Sequence, residues 1–359
     1  VARKTRLLLI TSTKSFEINS PNLALGLHFE SPVTRAAKIS GATAILLLVC
    51  SLAAILRPRF SRQLVHQLAR WHSDRLQTAL VSDLSSVLPN VTFWAWERPE
   101  DLRFLSDQKA GVAFLATTLY LETPQDNTTS RPSLLVRPRF QPLRVGPRTF
   151  LTAVVRIETP RSLPPSAFFK NISSEKPSSQ PQVDDERPLS LDPQTSAILH
   201  RAANEISTLQ NLPGVRAIQI DFDATVSQRS FYSALLSAVH RQLRPSMPLS
   251  ITALASWCIG DPWLANLPPG TINEAVPMLF RLGPDAADVI AFLHSGNEFP
   301  VAACRASLGL SADEPLSQKL LTNRFSGASP ALRRKRIYIF SPRAQTQSAA
   351  QFVIEEWHP

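Results

Sequence analysis

The stretch VRAIQIDFD (215–223) decides the fold. Successive side chains of a strand point to opposite faces. Ile218, Ile220 and Phe222 therefore share one face, and Gln219, Asp221 and Asp223 the other. A polar face backed by an apolar one is costly in a strongly apolar chain unless it lines a site or a hydrogen-bonded network. The stretch predicts a strand with one face on a core and two carboxylates at its C-terminal end.

Outward from it, apolar strands recur near 91, 112, 151, 249, 274, 304 and 336, eight in all with the one at 217. Helical spacing separates most of them, over 193–210, 229–243, 285–294 and 344–356. Pro99-Glu100-Asp101 looks like a helix opening. So does the capping-box pair Ser311 and Glu314. Residues 257–263 read as a loop. Repeated strand–helix order at this length predicts an α/β fold, a (β/α)8 TIM-like barrel. Irregular insertions follow strand 2 (122–148, a Pro- and Arg-rich hairpin) and strand 3 (159–192, rich in Pro, Ser and charge). A doubly wound open sheet is the alternative. It ordinarily carries a glycine-rich turn after its first strand, where this chain has Trp96-Glu97-Arg98-Pro99.

The barrel is expected over 90–359 as a single domain, with a leading helix over 57–89 in which Leu64, Leu68, Trp71, Leu76, Leu80 and Leu84 recur at helical steps. Residues 1–56 read as an extension carrying a signal peptide or membrane anchor. The run GATAILLLVCSLAAIL (41–56) is uncharged but shorter than the roughly 20 residues of a spanning helix. Arg35 and Lys38 precede it, and Ser51-Leu52-Ala53 supplies small residues for cleavage. The expectation is an exported protein, periplasmic or anchored facing the periplasm. The first Met is Met247; a start at Val33 would give a compact export signal and make 1–32 an extension.

The chain has 359 residues, 44% hydrophobic and 18% charged, which suits a large core, and a formal charge of +10. The basic residues are mostly Arg scattered among Pro and Ala, with no aromatic-basic motif, so no nucleic-acid partner is expected. A membrane partner is expected only through the N-terminal segment. The three Cys form no CxxC or Cys/His cluster, which argues against structural zinc; one disulfide would suit an exported chain. None of the seven His (28, 66, 72, 200, 240, 294 and 358) falls at a strand end. That argues against His-ligated metallohydrolases and Ser-His-Asp catalysis. There is no G-x-S-x-G elbow, P-loop or dinucleotide fingerprint. No cofactor and no metal-ligand set is implied, and what is left is carboxylate acid/base chemistry, alone or with a divalent ion held by oxygen ligands.

In such barrels the site lies at the C-terminal strand ends. There the sequence places Asp223, Asp221 and Glu158 as catalytic candidates, and Glu97, Trp96, Arg156, Trp257 and Arg281 as substrate-binding candidates. Paired carboxylates suit glycoside hydrolysis, and like charges held together raise one pKa, as a general acid requires. Trp94, Trp96, Trp257 and Trp263 would stack on sugar faces, making a polysaccharide or oligosaccharide the expected partner. The alternative is a non-catalytic barrel of the cell envelope that binds glycan or protein, its carboxylates tied to Arg156 and Arg281.

The segments FWAWERPEDLRFL (93–105), GVAFLATTL (111–119), AVVRIE (153–158), IQIDFDAT (218–225), LSITALASWCIGD (249–261), EAVPMLFRLGPD (274–285) and LGLSADEP (308–315) together resemble a bacterial family of unknown function, the domain-of-unknown-function family numbered 3142, over about 90–345. The resemblance implies a glycosidase-like TIM barrel and no established activity. Gln219-x-Asp221-x-Asp223 is also similar in spacing to the D-x-D-x-E strand of chitinase-like barrels. That likeness implies Asp223 as acid and Asp221 as its assistant. Asp stands here for the final Glu, Gln219 for the first Asp, and Val215-Arg216 for the preceding D-G.

Overall fold

The computed structural model describes residues 88–105, 110–122, 133–159, 193–322, 332 and 334–357, all within one compact unit, Ala69–Pro359. The apolar run 41–56, most of the leading helix and nearly all of the insertion after strand 3 lie outside the described residues.

Eight parallel strands close on themselves. In chain order they are β1 (Val91–Ala95), β3 (Ala110–Glu122), β6 (Phe150–Glu158), β7 (Val215–Asp221), β8 (Leu249–Leu254), β9 (Glu274–Met278), β10 (Ser307–Ser311) and β11 (Arg336–Phe340). The hydrogen-bonded order runs β1-β11-β10-β9-β8-β7-β6-β3, and β3 returns to β1 with Val91 opposite Ala110. This is the (β/α)8 barrel, with its eight strands in the expected order; the one expected near 304 begins only at Ser307, after a 3-10 turn, Ala302–Cys304. Three short strands lie outside the ring: β2 (Glu100–Leu102), β4 (Ser133–Pro138) and β5 (Leu143–Val145). β4 runs antiparallel to the far end of β3, so the expected hairpin after strand 2 is present.

The helices are α1 (Pro193–Thr208), α2 (Arg229–Gln242), α3 (Ala255–Ile259), α4 (Ala286–His294), α5 (Pro315–Leu321) and α6 (Gln347–Glu356). Their apolar stripes face the sheet. On α1 these are Ile198, Leu199, Ala202, Ala203 and Ile206; on α2 they are Phe231, Tyr232, Leu235, Leu236 and Val239. Alternation divides each strand between two cores. Val91, Phe93 and Ala95 join the large core beneath the helices. Trp94 joins a separate layer with Ala113, Val154, Val276 and Tyr338, drawn from five strands and filling the lumen. Gly309 makes room for it: a Cβ there would meet the Trp94 ring at 3.1 Å and the Pro277 carbonyl at 3.3 Å.

Three local expectations are corrected. Pro99-Glu100-Asp101 opens no helix. Glu100 enters β2, which pairs parallel with β5, its N–H donating to the Pro142 carbonyl at 3.0 Å, and a short 3-10 turn, Arg103–Leu105, follows. Ser311 is not a helix cap. It ends β10, its N–H donates to Ser317 Oγ at 2.9 Å, and α5 begins at Pro315 after Glu314. Residues 257–263 are not a loop: Trp257 lies in α3 and Trp263 in a 3-10 turn, Pro262–Asn266, capped by Asp261. In the first two cases pairing distant in sequence wins over a local signal.

Cys258 and Cys304 form a disulfide across 46 residues of chain, joining α3 to the turn before β10. On chain-entropy arguments a loop of that length contributes about 4 kcal/mol.

Candidate active site

The polar face of β7 climbs the lumen. At mid-height Gln219 is fully buried. Its Oε1 accepts from Trp94 Nε1 at 2.7 Å and its Nε2 donates to Ser250 Oγ at 3.3 Å. An indole N–H only donates, so it fixes which way the amide points. Trp94 in turn lines a cavity of about 450 Å³ at the C-terminal ends of the strands, a volume in the range of ligand sites.

One step up the same face, Asp221 borders that cavity. Thr252 Oγ1 on the neighbouring strand donates to its Oδ1 at 2.7 Å. On the other side β6 pairs in register, placing Arg156 opposite Asp221, with Arg156 Nε 3.9 Å from Asp221 Oδ2. Arg156 binds Glu158 more closely, at 3.0 Å. The Asp221 side chain is only 16% exposed. Its pKa is raised to about 6, first by burial and then by the charges of Asp223 and Glu158. The Thr252 hydrogen bond and the Arg156 cation pull the other way without overcoming burial.

Asp223 follows just beyond the strand. Its carboxyl is open to the cavity and has no hydrogen-bond or ion-pair partner among the described residues. Desolvation at the cavity wall raises its pKa, and Arg156 opposes that. The chain past Asp223 is pinned. The Thr225 N–H donates to Gln228 Oε1 at 2.8 Å in a capping box, and Gln228 Nε2 donates to Thr159 Oγ1 at 3.2 Å, tying the turn to the end of β6. The signal Thr-x-x-Gln at 225–228 was readable in the sequence.

Around the mouth stand Trp96 after β1, Phe280 after β9 and Phe340 at the end of β11. Phe280 and Phe340 stack with centroids 5.6 Å apart and planes within 6°, and Trp96 meets Phe340 edge-on at 6.3 Å. The Arg156 guanidinium lies 5.8 Å from the Trp96 ring. Trp96 Nε1 is buried without a hydrogen-bond partner among the described residues. Arg139, from the chain after β4, fixes the loop after β1. It donates to the carbonyls of Ala95 (3.2 Å), Trp96 (2.5 Å) and Arg98 (2.6 Å). Burial lowers the pKa of Arg139 from its ordinary value.

Arg281 is the one non-glycine residue with positive φ (51°) among the described residues. Such a backbone costs about 1–2 kcal/mol for a side chain other than glycine. Its guanidinium lies 5.1 Å from the Phe340 ring centre.

Five of the eight expected site residues thus border one cavity: Asp221, Asp223, Arg156, Trp96 and Arg281. Glu158 is held beside it by Arg156. Glu97 is turned to Arg137 of β4 at 2.5 Å and is not part of the wall. Trp257 is a correction. It is 2% exposed, packs against Trp263 at 4.9 Å and lies in the helix–sheet core, away from the cavity. Trp263 shares that core. Sequence reasoning missed Thr252, Phe280, Phe340 and Asp285 on the wall, and Arg139 behind it. Among the described residues no cluster of three or more His, Cys, Asp or Glu side chains is placed to hold a metal ion.

No family model matches the sequence, and no curated protein does. Solved structures that match include the spore cortex-lytic enzyme SleL of Bacillus cereus and the endo-beta-N-acetylglucosaminidase of Cordyceps militaris in apo form. The first is 12% identical with a TM-score of 0.39, covering 75% of this chain and 74% of that one. The second is 8% identical with a TM-score of 0.37, covering 79% and 95%. Likeness of this order bears on neither substrate nor mechanism, and the barrel stands on its own strand pairing.

Proposed function

We propose that this chain is a glycoside hydrolase-like enzyme, exported in a bacterium, and a member of the family of unknown function numbered 3142. The observation that carries the reading is a pair of carboxylates with raised pKa, Asp221 and Asp223, at one strand end of an aromatic-walled barrel mouth. Two such groups close together favour a state with one shared proton. Asp223, open and without a partner, passes that proton to the glycosidic oxygen as the bond from C1 breaks. Asp221, as carboxylate, takes a proton from the water that adds to C1. Glu158, held by Arg156, adds negative charge to the pair and touches no substrate. Trp96, Phe280 and Phe340 offer apolar surface to a sugar ring.

Asp223→Asn tests it. Turnover on a glycan panel falls by about 10²–10⁴-fold while the thermal midpoint stays within a few degrees. Unchanged turnover removes Asp223 from the acid's role. The Arg156–Glu158–Asp221 contacts favour a second reading, a barrel that binds glycan without cleaving it. Tight binding with no turnover by the unmutated chain would select it.

Export rests on the Cys258–Cys304 disulfide, since such bonds persist in oxidising compartments, with 41–56 as signal or anchor. The natively isolated protein then titrates as no free thiol, or as Cys50 alone where 41–56 is retained. Reactive Cys258 and Cys304 in that material would speak for a reducing compartment.

A further inference from the structure

Three guanidiniums border the cavity, and two are already neutralised. Arg98 Nε donates to Glu100 at 2.5 Å, and its NH2 to the Ser341 carbonyl at 2.8 Å. Arg156 has Glu158 at 3.0 Å and Asp221 at 3.9 Å. Arg281 makes no ion pair with a described residue, although Asp285 stands on the same wall a little further along the same loop. Among the described residues it lies over the face of Phe340, which is stacked in turn on Phe280.

That arrangement gives Arg281 no evident structural use. It is exposed, unpaired, and held on a left-handed backbone that glycine would adopt without strain. What it does is place a cation over Phe340 at the cavity wall. A sugar ring seated beside the Phe280–Phe340 stack turns C–H bonds to those rings and a substituent to the guanidinium. A neutral substituent leaves the guanidinium's charge uncompensated. An oxyanion accepts two of its N–H groups side by side. Asp221 and Asp223, on the same cavity wall, repel the same group, which favours its pairing with Arg281.

We propose that the substrate is an acidic glycan, and that Arg281 binds the carboxylate or sulfate of the sugar seated against Phe280 and Phe340. The proposal rests on the glycan reading of the cavity given above.

The test is calorimetric titration of the full chain in the Asp223→Asn background, which holds substrate without turning it over. The probes are an oligouronate tetrasaccharide, the same tetrasaccharide with its carboxyls reduced to alcohols, and a sulfated neutral oligosaccharide of equal length. One of the two anionic probes binds about 10-fold or more tightly than the reduced one, as a charge-assisted hydrogen bond implies; which one identifies the anion. Arg281→Gly keeps the backbone at ease and brings that ratio close to one. Arg281→Lys, with the charge but not the fork, retains part of it. A ratio near one before Arg281 is altered, or an undiminished ratio in Arg281→Gly, overturns the proposal. Binding of the reduced probe with a ratio of one leaves the glycosidase reading standing and sinks only the acidic substrate. If no probe binds and a neutral glycan panel also fails, both fall.

Discussion

At the base of the barrel Glu274 is 1% exposed; at its mouth Asp221 is 16% exposed. Both are carboxylates pointing into the lumen from strands of one sheet. Glu274 is met by the guanidinium of Arg336 and by Tyr338 Oη, which donates to it at 2.6 Å. Asp221 has a threonine hydroxyl and an arginine at 3.9 Å that is itself bound to Glu158. The base is a completed ion pair; the mouth is a carboxylate underpaired for its burial, with a second one unpaired beside it. A completed pair has nothing left for a ligand, whereas an underpaired one gains and loses its proton closer to neutral pH than an ordinary carboxylate and is free to exchange it with a ligand. The contrast, more than burial itself, separates the structural carboxylate from the chemical one.

The largest effect should come from breaking the base. Glu274→Ala removes the carboxylate that faces the buried Arg336 guanidinium and accepts from Tyr338, and is expected to cost about 3–5 kcal/mol. Chemical denaturation reads it as a lower midpoint. Replacing both partners, Glu274→Leu with Arg336→Met, should recover most of the loss, since an apolar pair of similar size carries no unmet charge. If the double variant is no better than the single one, Glu274 has a role beyond the pair.

At the mouth the sign reverses. Asp221 has a folded pKa of about 6 against 3.8 for the free side chain. The folded state therefore holds the proton more tightly than the unfolded one, and stability falls as pH rises from about 4 to about 6. Above that the full cost stands, about 3 kcal/mol for a shift of roughly two units. Asp221→Asn keeps an oxygen to accept from Thr252 and removes the charge. It should gain up to about 3 kcal/mol at pH 7 and close to nothing at pH 4, while losing turnover. Urea midpoints at pH 4, 5, 6 and 7 give the curve. A gain independent of pH would mean that Asp221 titrates at the same pH in the folded and unfolded chains.

A smaller effect is expected inside the lumen layer, at Gly309. A methyl there presses on the Trp94 ring and on the backbone of Pro277 and Met278. Gly309→Ala should lower stability by about 1–3 kcal/mol, an overpacking cost. Turnover should fall with it only where Trp94 shifts Gln219, which near-ultraviolet circular dichroism of the indole reports.

The barrel was legible because its strands carry their own pattern. The alternation at 215–223 put Gln219 and Asp221 in the lumen without reference to any other segment. Arg156 opposite Asp221 followed once β6 and β7 were taken as neighbours in register. What stayed hidden depends on partners far along the chain. Nothing near residue 100 announces the pairing with 143–145, and nothing in 138–141 announces that Arg139 holds the carbonyls of the first strand's loop. Trp96 and Trp257 both follow a strand, yet one borders the cavity and the other is core. The difference lies in α3, which starts immediately after β8 and turns Trp257 back under the sheet. The stacking of Phe280 on Phe340 was missed because only polar residues were sought at those strand ends.

The subtlest break of the contrast is at Arg156, which stands between Asp221 and Glu158. Its cation lowers the pKa of Asp221 and of Asp223, against the burial that raises both. Arg156→Gln removes that restraint, so both carboxyls hold their protons to higher pH. The general acid must be protonated to act, and its loss of the proton sets the alkaline limb of the pH–rate profile. That limb should move upward, by at most about one unit, because the guanidinium is half-exposed and screened by water. The acid limb, set by the carboxylate that must be ionised, should move the same way and narrow the window from below. A profile of kcat/KM from pH 4 to 8 on the variant measures both. If the limbs move to lower pH, Arg156 acts on the pair by positioning Glu158 and not by its own charge, and the mouth is held by geometry as firmly as the base is held by Arg336.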